Sequence, residues 1–225
     1  MPEATGKKTD LEGDAFDKLL RDRNLPPPAS AFAATAEAAS MVAADIGFPV
    51  VLKIVSPQAS HKTEVGGVAL NLGDRVAVVA AADDMAARLH AVDPTARIDG
   101  YLVQEMVSGT EVILGVREDP QFGAFMVVGL GGILVEAMRD ISFRMLPVNE
   151  ADGREMLDEL RGKAVLGAFR GSPARDVDAL VKAIRGLSDL YMDYRLHLAD
   201  LEVNPLIVGA AGEGVRAVDV RPLWR

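Results

Sequence analysis

Residues 198–206 read Leu-Ala-Asp-Leu-Glu-Val-Asn-Pro-Leu, and three polar residues alternate with apolar ones within them. On a β-strand, Asp200, Glu202 and Asn204 therefore share one face. Asp219 lies in the next apolar stretch, 217–220, which we expect to form a strand beside the first. Mg²⁺ prefers hard oxygen ligands, usually one or two carboxylates with phosphate oxygens and water. The pattern favours a magnesium site among these four residues over an ordinary solvated strand face.

Lys53 lies at the centre of the apolar stretch 50–55, which predicts a buried strand. A lysine in such a strand must meet an anion or extend its side chain to the edge of the sheet. One interpretation is a lysine on a solvent-facing strand surface. The other is a phosphate-binding lysine that acts as a compact point charge.

The polar loop 60–67, Ser-His-Lys-Thr-Glu-Val-Gly-Gly, is a second candidate for phosphate binding. Gly66 and Gly67 allow backbone N–H groups to approach phosphate oxygens, although most such pairs are plain turns. His61 is either a surface residue or a nucleophile, because imidazole can carry a phosphoryl group.

Residues 103–107, Val-Gln-Glu-Met-Val, form the end of a predicted strand that begins at about residue 98. A strand that leads into a linker between two lobes can offer its backbone to the edge of an adenine, but an ordinary strand end has the same sequence character. Glu111 either reaches a ribose hydroxyl or faces water.

Composition limits the possible functions. The 225 residues carry a net charge of −9, which disfavours a nucleic-acid partner, and contain no cysteine, which excludes disulfides and thiolate chemistry. We expect no signal peptide, because the first 14 residues are polar, and the longest uncharged apolar run, 124–135, is shorter than the roughly 20 residues that span a bilayer. We expect a cytoplasmic protein with no membrane contact.

The order of predicted elements indicates an α+β protein of two lobes. We expect a flexible tail over residues 1–13, an N-terminal lobe over 14–100 and a C-terminal lobe over 101–225. The most regular helical pattern runs from Val177 to Tyr194, and closing strands are predicted at 198–203 and 216–220.

Several of these segments occur in one order that resembles the ATP-grasp domain of NDP-forming (ADP-forming) acyl-CoA synthetases, of the beta-subunit type. The resemblance runs from about residue 14 to the C-terminus. It is carried by residues 50–53, 60–68, 103–107, 129–132, 200–206 and 217–219.

The resemblance implies an ATP-grasp fold, in which two lobes enclose a magnesium–nucleotide complex. It implies that Lys53 contacts the nucleotide phosphates near Gly66 and Gly67. It also implies that the adenine lies against Gln104, Glu105, Met106 and Val107, with Glu111 near the ribose.

The resemblance further implies magnesium ligands at Asn204 and Asp219, with Glu202 close by. It gives His61 a role as a transient phosphoryl carrier. In the related beta subunit of succinyl-CoA synthetase the glycines are kept but this histidine typically is not, so His61 favours the acyl-CoA synthetase branch.

The family reaction interconverts acyl-CoA, ADP and phosphate with free acid, CoA and ATP. The family's CoA-binding domain and its second catalytic histidine have no counterpart in these 225 residues. We therefore expect a subunit of an acid–CoA ligase. It would be active only in a hetero-oligomer with an alpha subunit, or with a fused domain, that supplies the CoA-binding domain and the second histidine.

Two other functions are compatible with the sequence. One is a non-catalytic ATP-binding regulatory module of a larger acyltransferase-type protein. A carboxylate–amine ligase of the ATP-grasp type is a third interpretation, which His61 disfavours because such a ligase does not need it.

Overall fold

The computed structural model describes residues 13–58, 66–131, 140–169 and 171–225. The chain divides into two compact units. The smaller unit is Pro28–Val107, and the larger combines the residues up to Pro27 with Ser108–Arg225.

The smaller unit is a four-stranded antiparallel sheet with two helices. Its described elements are β1 (Ser30–Ala33), α2 (Ala36–Ile46), β2 (Val50–Val55), β3 (Val68–Leu72), α3 (Arg75–Val92) and β4 (Gly100–Glu105), and the strand order is β1-β4-β2-β3. Both helices begin where a side chain can accept a backbone hydrogen bond. Thr35 caps α2 through the Ala38 N–H, and Asp74 caps α3 through the Ala77 N–H. Gly47 ends α2 with a positive φ of 100°.

The core of the smaller unit lies between the helices and one face of the sheet. Val50, Leu52 and Ile54 of β2 are buried together with Ala39 and Val78. Because strand side chains alternate, Lys53 lies on the opposite face. The apolar pattern of 50–55 therefore fixes which way the lysine points.

The larger unit is built on a six-stranded antiparallel sheet. Its described elements are α1 (Gly13–Asp22), β5 (Thr110–Asp119), β6 (Gly123–Leu130), β7 (Ile141–Met145), α4 (Glu150–Glu159), a 3₁₀ turn (Lys163–Leu166), α5 (Val177–Tyr194), β8 (Leu198–Val208), β9 (Val215–Ala217) and β10 (Val220–Trp224). The strands run in the order β10-β8-β5-β6-β7, and β9 pairs with the far end of β8.

Helix α5 covers one face of this sheet and confirms the predicted helix over 177–194. Its buried residues Leu180, Ile184 and Leu187 join Leu114 of β5 and Val203 of β8 in one apolar cluster. With that face covered, the charged residues of β8 lie on the other face.

Helix α1 belongs to the larger unit, which differs from the predicted lobe boundaries. Leu20 and Leu25 are buried in the larger cluster, and Gly186 of α5 lies so close to the carbonyl of Arg23 that a Cβ there would collide with it. The division between units falls after Val107 rather than near residue 100, because β4 pairs with β1 and β2.

The closing strands are longer and more broken than predicted. β8 continues through Asn204 and Pro205 to Val208, because it pairs first with β10 and then with β9 on the same edge. The predicted strand at 216–220 is two strands, β9 and β10, and Asp219 lies in the gap between them.

Asp176 joins the start of α5 to the loop between β8 and β9. Its carboxylate accepts hydrogen bonds from the N–H groups of Ala179, Gly212 and Gly214, each at 3.0 Å. These bonds, that from Ala179 foremost, hold the pKa of the carboxyl below its ordinary value. Ionised Asp176 therefore stabilises the fold.

We expect Asp176→Ala to lower the free energy of unfolding by about 1 kcal/mol at pH 7, as for other helix caps. A depressed pKa means that the stabilisation is present above about pH 4 and is lost as the pH falls through the lowered pKa. The difference between the wild type and the variant should therefore narrow in acid. Thermal unfolding followed by circular dichroism across this pH range measures it.

Asp178→Ala is the matched control, because Asp178 lies in the same first turn but contacts only the exposed Arg154 among the described residues. It should change stability less than Asp176→Ala does. A gap between wild type and Asp176→Ala that stays constant from pH 7 to pH 3 contradicts the account.

Candidate functional site

The alternation of β8 is confirmed by burial. Leu201 and Val203 are fully buried against the helices, whereas Asp200 and Glu202 are half-buried and Asn204 is exposed. The three polar side chains therefore lie together on the open face of the larger sheet. This open face, defined here by Asp200, Glu202 and Asn204, is the setting for the candidate metal site.

Asp219 lies directly across from Asn204. The Asn204 N–H donates to the Asp219 carbonyl at 2.9 Å, and the Val218 N–H donates to the Pro205 carbonyl at 3.0 Å. The prediction that Asp219 lies inside a strand is wrong, since it falls between β9 and β10. The two backbone bonds nevertheless hold it beside Asn204.

The side chains of this group leave particular oxygens available. Asn204 Nδ2 donates to Glu202 Oε1 at 3.2 Å, and a carboxylate can only accept, so the amide oxygen of Asn204 is the atom left open. Arg221 donates to a single oxygen of Asp219, Oδ2, from Nε at 3.0 Å and from Nη2 at 2.6 Å. These bonds raise the pKa of Arg221, so it stays charged.

The available donors fit magnesium. Asn204 offers an amide oxygen and Asp219 a carboxylate oxygen, while Glu202 is engaged by Asn204 and lies 3.5 Å from Arg117. In the part of the chain that the structure describes, no three His, Cys, Asp or Glu side chains are grouped as a complete metal cage. Magnesium rarely uses such a cage, because it keeps several waters and takes phosphate oxygens as further ligands.

Lys53 lies on the face of the smaller sheet opposite to its buried residues Leu52 and Ile54. It is half-buried, and its pairing partners are Leu102 on β4 and Val68 on β3. Gln104, which is 6% exposed, is diagonal to it on the same face, opposite Val51. The structure therefore brings Lys53 and Gln104 together.

Glu105 points the other way. It is paired with the buried Val50, and its Oε2 accepts a hydrogen bond from the Ala29 N–H at 3.2 Å while its own N–H donates to the Ala29 carbonyl at 2.8 Å. The side chain of Glu105 thus anchors the segment before β1. Only its backbone remains a candidate for contact with a base.

The two residues after Glu105 differ in their backbone bonding. The Met106 N–H donates to the Pro49 carbonyl at 3.3 Å, whereas the Val107 N–H has no hydrogen-bond partner among the described residues. The Val107 amide is therefore the group of this segment best suited to a base edge.

Glu111 is exposed on β5, on the same open face of the larger sheet as Glu202. Its carbonyl accepts a 2.6 Å hydrogen bond from the Gly131 N–H, which ties β5 to the end of β6. Contact with a ribose remains a prediction.

Of the glycine pair, Gly66 has a backbone conformation that favours glycine, and Gly67 takes part in strand pairing. Gly66 has φ +67°, and a Cβ there would lie 2.5 Å from Nη1 of Arg88. The Gly67 carbonyl accepts a hydrogen bond from the Ile54 N–H at 2.9 Å and so extends the pairing of β2 with β3. Phosphate binding by either glycine remains a prediction. His61 lies outside the described residues.

Sequence reasoning missed the two arginines on the open face of the larger sheet, Arg117 and Arg221. Arg221 is paired in register with Glu202, and Arg117 lies 3.7 Å from Asp200. The available clue was spacing, because Arg221 follows Asp219 by two residues and so shares its face.

The comparisons with known proteins agree with this architecture. The family model of the ATP-grasp domain matches residues 4–222. The chain belongs to the ATP-grasp family. The resemblance and the fold expected from the sequence are thereby confirmed.

The relatives are CoA ligases. The beta subunit of acetate–CoA ligase (ADP-forming) II from Pyrococcus furiosus is 35% identical over 219 residues, which are 97% of this chain and 92% of that one. Other relatives are longer, and this chain covers 31% of one and 26% of another.

Solved structures of CoA synthetases share the fold of this chain. The acetyl-coenzyme A synthetase 1 of Ca. Korarchaeum cryptofilum, in complex with coenzyme A and Ca-AMPCP, has a TM-score of 0.83 at 36% identity, over 92% of this chain and 90% of that one. The same enzyme with coenzyme A and Mg-AMPPCP has a TM-score of 0.76 at 34% identity, over 92% and 88%, and its phosphohistidine segment points towards the nucleotide-binding site.

We expect Lys53→Gln to weaken binding of Mg–ATP by about 10- to 100-fold, since a hydrogen bond to a charged group contributes about 1.5–3 kcal/mol. Isothermal titration calorimetry measures the affinity. Glu105→Gln is the matched control, because its side chain contacts Ala29 on the other face. Equal losses in the two variants contradict the assignment of Lys53.

Proposed function

We propose that this chain is the nucleotide-binding subunit of an ADP-forming acyl-CoA synthetase. It would transfer a phosphoryl group between a phosphohistidine and ADP, coupled to interconversion of an acyl-CoA and its acid. The observation that carries the proposal is the extent of the similarity, since 97% of the chain matches 92% of an acetate–CoA ligase beta subunit.

In the smaller unit, Lys53 would neutralise phosphate charge during transfer. The phosphoryl group in transit carries negative charge spread over its oxygens, so catalysis consists mostly of positioning and electrostatic stabilisation. Gly66 and Gly67 would admit a phosphate close to the backbone, and Gln104 with residues 105–107 would hold the base.

In the larger unit, Asn204 and Asp219 would hold Mg²⁺ through the oxygens that their hydrogen bonds leave available, with Glu202 close by and Glu111 near the ribose. When bound, the ion would offset the negative charge of the nucleotide phosphates. The backbone bond between Asn204 and Asp219 supports this set, because it holds the two residues next to each other on neighbouring segments.

His61 would carry the phosphoryl group. The bond between its imidazole nitrogen and phosphorus breaks as a bond forms from a terminal β-phosphate oxygen of ADP to the same phosphorus. The ring nitrogen keeps the electron pair of the broken bond and takes up one proton from water, which gives ATP and neutral histidine. The phosphohistidine segment of the Korarchaeum enzyme supports the assignment.

A partner would complete the enzyme. Relatives of this chain are named as beta subunits, and longer relatives contain the matching region within one chain. We therefore propose an alpha subunit or fused domain that binds CoA and supplies a second catalytic histidine, in a hetero-oligomer.

Among the residues that the structure describes, no helix has the length and apolar character needed to span a membrane.

Labelling tests the role of His61. Incubation with Mg²⁺ and γ-labelled ATP should place phosphate on the chain that is labile in acid and stable in base, as phosphohistidine is. His61→Ala should remove the label while leaving ATP affinity nearly unchanged, because the histidine carries the group rather than anchoring the nucleotide.

His90→Ala is the matched control, because His90 contacts the Ala96 carbonyl at the end of α3. The amount of labelled phosphate on His90→Ala should equal that on the wild type. Tight binding of ATP with no label under any condition would instead indicate a non-catalytic nucleotide-binding module.

The metal ligands have a separate test. Asp219→Ala should weaken binding of ATP in the presence of Mg²⁺ by about tenfold or more and leave the affinity in excess chelator unchanged, because it removes one of the few protein ligands. Calorimetry in both conditions separates the two effects. Asp189→Ala, on α5 and paired with Arg185, should change neither affinity.

A further inference from the structure

We propose that Arg221 is a positioning residue that orients the carboxylate of Asp219 for the metal. The inference rests on the proposed function, because it concerns the metal site assigned there. It gives a role to a side chain that the sequence analysis did not select.

The hydrogen bonds to Asp219 carry the inference. Both N–H groups of Arg221 reach the same oxygen, Oδ2, at 3.0 and 2.6 Å. A guanidinium that paired with both oxygens would engage a lone pair on each of them. Here one oxygen is held and Oδ1 is left for another ligand.

The backbone fixes the face of the sheet from which Arg221 emerges. Arg221 is paired with Glu202 across β10 and β8, so its side chain must emerge on the same face as Glu202 and Asn204. Asp219 is two residues earlier and is fixed in turn by the bond from Asn204. Arg221, Asp219 and Asn204 are therefore held by neighbouring rungs of one ladder.

Exposure argues against a purely stabilising ion pair. The side chain of Arg221 is 74% exposed and that of Asp219 38% exposed, and pairs of this kind contribute little to folding stability. The pair instead restricts the rotation of a carboxylate at the edge of the sheet. Restriction of this kind is what outer-shell partners provide to metal ligands, and their loss typically costs about 10- to 100-fold in metal affinity.

The test measures metal binding, not turnover. The full chain is mixed with a non-hydrolysable ATP analogue, and free Mn²⁺ is measured by electron paramagnetic resonance as a probe of the magnesium site. Arg221→Gln should weaken Mn²⁺ binding about 10- to 100-fold. Arg221→Lys should be intermediate, because its ammonium keeps the charge but lacks the two-pronged fork.

The control and the double variant decide how Arg221 acts. Arg185→Gln removes an arginine of α5 that contacts Glu150 of α4 and Asp189 of α5. It should leave Mn²⁺ affinity unchanged. In an Asp219→Asn background, Arg221→Gln should cause no further loss, because a residue that acts only through Asp219 has nothing left to orient.

The other outcomes overturn the inference. Unchanged or tighter Mn²⁺ binding in Arg221→Gln contradicts it. An equal loss in the Asp219→Asn background, or weaker nucleotide binding in chelator, means that Arg221 contacts the phosphates directly. If Asp219→Asn itself leaves Mn²⁺ affinity unchanged, the metal assignment of the proposed function fails instead.

Discussion

The candidate metal site of the larger unit depends on one backbone hydrogen bond, from the Asn204 N–H to the Asp219 carbonyl. It lies where β8 exchanges one partner strand, β10, for another, β9. The same point brings an amide and a carboxylate together on a face that the helices leave uncovered. Loss of this pairing would separate the two oxygens that we assign to the metal.

Burial on the opposite face explains why the polar residues can remain there. Leu201 and Val203 are buried against α5, so β8 cannot slip by one residue without placing Glu202 in the apolar core. The cost of burying an unpaired carboxylate thus fixes the register. In the smaller unit, Leu52 and Ile54 fix the direction of Lys53 in the same way.

The sequence was sufficient for the elements whose pattern is local. Helix α5, strand β2 and the end of α2 at Gly47 follow from periodicity and capping, and six short motifs in order indicated the family.

The sequence was insufficient where long-range packing decides. The assignment of α1 to the larger unit needs Leu20 and Leu25 in a distant core, and the hydrogen bond from the Ala29 N–H to the side chain of Glu105 joins residues far apart in the sequence. The position of Arg221 opposite Glu202 follows only from the pairing of β10 with β8.

We propose that this chain exchanges a phosphoryl group with ADP in an enzyme that a CoA-binding partner completes. Reconstitution with that partner tests it most directly, by measuring ATP formed from ADP and phosphate on addition of an acyl-CoA. The account predicts ATP formation that requires the acyl-CoA and disappears in His61→Ala. ATP formation that persists in His61→Ala, or its absence in a reconstituted complex that binds both CoA and Mg–ADP, would contradict it.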